Sequence, residues 1–177
     1  MKFVLLILAL VMPAPSQDRE AAFRRLADRY FDEVYFPFNP TTGTSSGFHR
    51  YDTQLEDYSR AGVDRQVTAL RAFLAEFERF PRAGLSPDTA SDYDLVVSGI
   101  RGTLLTLESI RPWEKNPDTY SGGVTASIFT LMSRSFAPPA ERLRSVVARE
   151  RLIPAVFADA RRNLRNPPRI YTEIALE

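Results

Sequence analysis

The chain has 177 residues, enough for one ordinary domain with a real core, and a formal net charge of +1 from 23 basic and 22 acidic residues. Without Lys2 and the apolar stretch behind it the charges balance, which argues against nucleic acid or an anionic membrane surface as a partner. There is no cysteine, so the core must hold without disulfides, and a zinc site with thiolate ligands is excluded.

Met1 and Lys2 form a short positive start, and Phe3 to Met12 is an unbroken apolar run. Small residues Ala14 and Ser16 follow, two apart, as a signal peptidase requires. Ten apolar residues make a helix of roughly 15 Å, about half a bilayer core. Residues 1–17 are therefore read as a cleaved signal peptide, with no membrane contact after cleavage. An exported protein, periplasmic or extracellular, is expected. With no cysteine near the site, a lipid-anchored form is not.

Helical patterning then recurs to the end. Asp18 is a candidate N-cap, and Ala22, Phe23, Leu26, Tyr30 and Val34 fall at three- and four-residue spacings; this helix should stop before Pro37. Residues 37–52 hold two prolines, two glycines and a cluster of Thr and Ser, and read as a long irregular segment. Val63, Val67, Leu70, Phe73, Leu74, Phe77 and Phe80 mark the apolar face of a second helix, which Pro81 ends. Ser86-Pro87-Asp88 is a helix start with its N-cap, first-turn proline and acid at the dipole's positive end, and the pattern continues to Ile110.

Residues 111–119 read as a loop around Trp113. A fourth helix is expected over Tyr120 to Phe136, and Pro138-Pro139 open a fifth. Pro154 should force a kink or a fresh start within the pattern that continues to Leu164, and Asn166-Pro167-Pro168 end it. Tyr171 to Leu176 begins another helix without a cap, so residues 18–177 are expected to be the N-terminal helical region of a larger domain, cut at its C-terminal end. No stretch alternates as a strand would. The fold class is all-α: an antiparallel bundle of about six helices with a long irregular loop after the first.

Chemistry-bearing patterns are sparse. His49 is the single histidine, so a site with two or three imidazole ligands cannot form. There is no Asp-rich calcium loop, no Gly-rich phosphate loop and no Gly-x-Ser-x-Gly elbow to support a Ser-His-Asp arrangement around His49 and Asp52. No catalytic or metal-binding residue is therefore assigned, and no cofactor is expected in this chain. The segment Pro40 to Ser59 is the candidate site, with Thr44, His49, Tyr51 and Asp52 as candidates to line a substrate cleft. The residue types favour a plainer role, in which His49, Tyr51 and Asp52 tie the segment onto the bundle. Trp113 reads first as a core anchor, and Glu141 with Arg142 as an exposed ion pair.

Asn39-Pro40, Thr44, Gly47-Phe48-His49, Tyr51-Asp52, Leu55 and Asp57-Tyr58-Ser59 occur here in that order. Trp113, Asn116-Pro117, Tyr120, Phe136-Ala137-Pro138, Glu141-Arg142, Arg151-Leu152-Ile153-Pro154, Ala160, Asn163-Leu164 and Pro167-Pro168 follow. From about residue 20 onward the sequence resembles the bacterial family catalogued as domain of unknown function 885. Its full-length members are several hundred residues longer and resemble helical zinc metallopeptidases. Their H-E-x-x-P-G-H-like motif lies downstream of anything present here: two histidines one turn apart would hold zinc, and the glutamate would activate water. The resemblance implies a parent hydrolase acting on a peptide substrate, with this chain as its non-catalytic part. A short stand-alone helical module that binds or inhibits a partner is the alternative.

Overall fold

A computed structural model describes residues 15–176; the expected signal peptide, apart from its last three positions, lies outside the described residues. Helix α1 spans Pro15–Tyr30 and places Asp18 inside its first turn rather than at its cap. It does not stop before Pro37. A π-helical turn, Phe31–Tyr35, and a short α2, Phe36–Phe38, carry it on. In the widened turn the Phe36 N–H bonds the Phe31 carbonyl, and Phe36 itself stays in the α region. The i→i+5 spacing makes room for a proline ring that would otherwise meet the carbonyl four residues back. The Tyr35 carbonyl is taken by the Asn39 amide at 2.6 Å.

The expected irregular segment contains a helical turn of its own, α3, Pro40–Ser45, and a 3-10 turn over His49–Tyr51. Asn39 lies outside the α region, as the residue before a proline prefers, and Pro40 opens α3 where no N–H is needed. Helix α4, Arg60–Arg79, is capped by the Ser59 hydroxyl, and α5, Pro87–Leu105, by Ser86 as the sequence predicts. A second π turn, Thr106–Ile110, extends α5 until Arg111 turns left-handed ahead of Pro112.

The loop expected around Trp113 holds a short helix, α6, Pro112–Lys115. Then come α7, Asp118–Ser133, and α8, Pro139–Glu150. The pattern breaks before Pro154, and α9, Ile153–Asn163, starts afresh with that proline in its first turn. Helix α10 covers Arg169–Leu176. The described residues thus form an all-α bundle with seven helices of eight residues or more.

Two apolar cores hold it. In the first, α1, α4 and α5 enclose Phe23, Tyr30, Phe73, Phe77 and Tyr93, whose rings meet edge-on or tilted about 6 Å apart. The Tyr93 hydroxyl donates to the Phe77 carbonyl at 2.9 Å, so the ring is buried without an unpaired polar end. In the second, Tyr120 and Val124 of α7 meet Val156 and Ala160 of α9, with Leu55 and Tyr58 packed against them. Trp113 is buried as a core anchor, its indole N–H on the Leu107 carbonyl freed by the π turn.

Candidate functional site

Between the second core and the Pro40–Ser59 segment sits Arg149. It projects from α8 and is completely buried, 0% exposed. One guanidinium nitrogen donates to the Ser127 carbonyl on α7 at 2.5 Å. The other donates to the Thr44 hydroxyl at 2.7 Å and to the Tyr51 carbonyl at 3.2 Å. Its Nε has no partner. Burial lowers the pKa of this guanidinium, and the nearby Glu56 and Asp52 carboxylates oppose that shift. A single cation thus fastens residues about a hundred positions apart in sequence.

The four sequence-predicted residues divide into two pairs. Thr44 and Tyr51 are buried and meet at Arg149, which donates to the Thr44 hydroxyl and to the Tyr51 backbone carbonyl. Tyr51 lies so close over α3 that a Cβ on Gly43 would stand 2.5 Å from its ring, so only glycine fits there. Asp52 is buried and lies 3.1 Å from the Nδ1 of His49. His49 keeps 44% of its side chain exposed and stacks on Phe136, ring centroids 4.0 Å apart and planes within 15°. Thr41 donates through both its N–H and its hydroxyl to Glu56, 3.0 Å each, and Arg134 reaches the Ser45 carbonyl from the end of α7.

This geometry fixes what the segment can do. A carboxylate holds the His49 imidazole by one nitrogen, the second half of a nucleophile-activating arrangement. Among the described residues no hydroxyl hydrogen-bonds to its other nitrogen, so the nucleophile half is not assembled. The expected pairing of Glu141 with Arg142 does not form; Arg142 instead donates to the Ala137 and Met132 carbonyls at 3.1 and 2.9 Å, closing the end of α7.

Sequence reasoning missed Arg149. Its signal was present: it shares the inward face of α8 with Val146, where an arginine must find buried acceptors.

The chain matches the family described as Bacterial protein of unknown function (DUF885) over residues 40–177, and it belongs to that family. A solved structure, described as that of a putative lipoprotein of unknown function from Shewanella oneidensis, is similar to it with a TM-score of 0.75 and 28% sequence identity. That similarity covers 92% of this chain but 28% of the other, so the chain spans under a third of that protein's length. No curated protein matches. No described helix is long and apolar enough to cross a membrane.

Proposed function

We propose that the chain is the non-catalytic, N-terminal helical part of an exported zinc-dependent hydrolase of the metallopeptidase kind, and that its Pro40–Ser59 segment forms part of the wall of a peptide-binding cleft. One observation carries the reading: a structure that accommodates 92% of this chain is more than three times its length. Export is supported by the apolar run Phe3 to Met12 and by the similarity to a protein described as a putative lipoprotein.

Zinc does not fit the residues present. Among the described residues no three His, Cys, Asp or Glu side chains come together, and His49 has Asp52 alone beside it. On this reading the hydrolase's metal would be held by residues other than the described ones. The role left to these residues is to present His49, its ring fixed by Asp52 and Phe136, to a passing peptide.

The test is to express the chain joined to the coding sequence that follows it, and to assay peptide hydrolysis with and without a chelator. The joined protein should cleave peptides in a chelator-sensitive way, and His49→Ala should raise KM while leaving kcat nearly unchanged. A joined protein without metal-dependent hydrolysis would overturn the reading. So would a His49→Ala variant that binds peptide as well as the parent.

A binding module without enzymatic activity is the second reading. It is favoured by the apolar side chains that Phe129 on α7, Leu143 on α8 and Ile174 on α10 leave exposed. Such a module would retain its partner without any downstream sequence.

A further inference from the structure

A second place in the fold has the makings of a ligand site and is independent of the hydrolase reading. The start of α4, the short α6 and the end of α9 enclose a cavity of about 250 Å3. Seven of its eight lining residues are polar or charged, the eighth being Trp113, and the charges are of both signs. Asp159 and Glu114 belong to its inner part, with side chains only 12% and 16% exposed. Asn163 is buried to 7%, and its amide donates to the Tyr58 carbonyl at 2.7 Å and to the Tyr120 hydroxyl at 3.1 Å. That leaves the Asn163 carbonyl oxygen and one Asp159 oxygen without a hydrogen-bond partner among the described residues, on side chains that line the cavity. Neither atom is sealed from solvent, so water or a ligand can supply the donor.

The rim has the opposite sign. Arg60 lies over the Trp113 ring, 5.0 Å from its centroid, and reaches Glu114 only at 3.6 Å. Arg162 is paired with Asp159, while Arg165 holds the cavity edge through its backbone N–H on the Glu114 carbonyl at 2.9 Å. The Arg165 side chain is exposed and makes no ion pair among the described residues.

A simple anion entering this cavity would meet two carboxylates, and a simple cation would meet three guanidinium groups. A molecule with both signs a few ångströms apart satisfies both. Among the lining residues Arg60, Arg162 and Arg165 exceed Glu114 and Asp159 by one charge, so the matching ligand carries one net negative charge. The volume lies below the roughly 300 Å3 at which pockets for drug-sized ligands begin, so the ligand is small. We propose that this cavity binds an α-amino acid bearing a second carboxylate. Its ammonium group donates to Asp159, Glu114 and the Asn163 carbonyl, and its carboxylates lie against Arg162 and Arg165.

Trp113 is the single tryptophan of the chain and lines the cavity, so its emission reports occupancy directly. The probes are L-glutamate, acetate and methylammonium, titrated at constant ionic strength into the purified chain. L-Glutamate should give a saturable change with a Kd of about 1 mM or tighter, and the single-charge probes should bind at least about tenfold more weakly. Arg165→Ala, an exposed change that leaves packing untouched, should weaken L-glutamate binding about tenfold or more, as should the isosteric Asp159→Asn. Arg79→Ala, remote from the cavity, should bind as the parent does. The proposal is overturned if L-glutamate gives no saturable change. It is equally overturned if acetate matches L-glutamate, or if Arg165→Ala binds with unchanged affinity.

Discussion

Replacing Arg149 by methionine keeps most of the apolar stem and removes the guanidinium. Three acceptors lose this donor: the Ser127 carbonyl, the Tyr51 carbonyl and the Thr44 hydroxyl. Thr44 can rotate its hydroxyl toward another acceptor, but the two carbonyls cannot move without breaking helical turns. The Tyr51 carbonyl keeps the Gln54 N–H at 3.0 Å and the Ser127 carbonyl lies within helix α7, so the loss is that of hydrogen bonds to a charged donor, about 1.5–3 kcal/mol each, and not of a last partner. Against this stands the relief of removing a desolvated cation whose Nε is itself unpaired. The net expectation is a loss of about 3 kcal/mol, or roughly 6–12 °C in Tm for a domain of this size. Urea unfolding followed by far-UV circular dichroism measures it directly. Hydrogen exchange should show the Pro40–Ser59 amides losing protection first, because their tether to α7 and α8 is gone. A variant within about 0.5 kcal/mol of the parent, with the segment still protected, would refute the assignment of Arg149 as that tether.

Three further outcomes are expected. Gly62→Ala should destabilise by about 1–3 kcal/mol although alanine is the better helix former, because its Cβ would stand 2.5 Å from the Asp57 carbonyl; a stabilised variant in thermal melts would refute the close approach. Ser86→Ala should cost about 1 kcal/mol in urea unfolding by removing the cap on the Thr89 N–H, and an unchanged midpoint would show that the cap carries no weight. Burial pushes the Tyr30 hydroxyl from 10.0 up to about 12, and burial raises Tyr58 in the same direction. The unfolded chain therefore gives up these protons first, so stability is full below pH 10 and falls as pH rises toward 12; a pH series of urea midpoints that stays flat across that interval would contradict the burial of these phenols.

The helices were legible where local signals and periodicity agreed. Ser86-Pro87-Asp88 carries its own cap, and the Val63-to-Phe80 face repeats at helical spacing, so both helices lie where the sequence places them. Pro37 was misleading because a proline's usual effect assumes an α-helical turn ahead of it, and a π turn relieves the clash through backbone geometry that no residue pattern announces. The short helices α3 and α6 escaped for a related reason. Each is too brief for periodicity and is held by tertiary contacts, such as Arg149 on Thr44 and Trp113 on the Leu107 carbonyl. In the candidate segment the residue types do not announce the split between Thr44 and Tyr51, which are buried against Arg149, and His49, which faces outward. That split depends on one side chain arriving from a hundred residues away. The cavity between α4, α6 and α9 was invisible for the same reason, since its charges come from three separate helices.

On the function proposed above, this chain is part of a larger hydrolase whose metal is not held by the described residues. Equilibrium dialysis of the purified chain against zinc, followed by a peptide-hydrolysis assay on the same sample, tests it most directly. The account predicts well under about one tightly held zinc per chain and no chelator-sensitive cleavage, because structural or catalytic zinc needs at least three protein ligands. One zinc per chain held at nanomolar affinity, with peptide hydrolysis that a chelator abolishes, would contradict it.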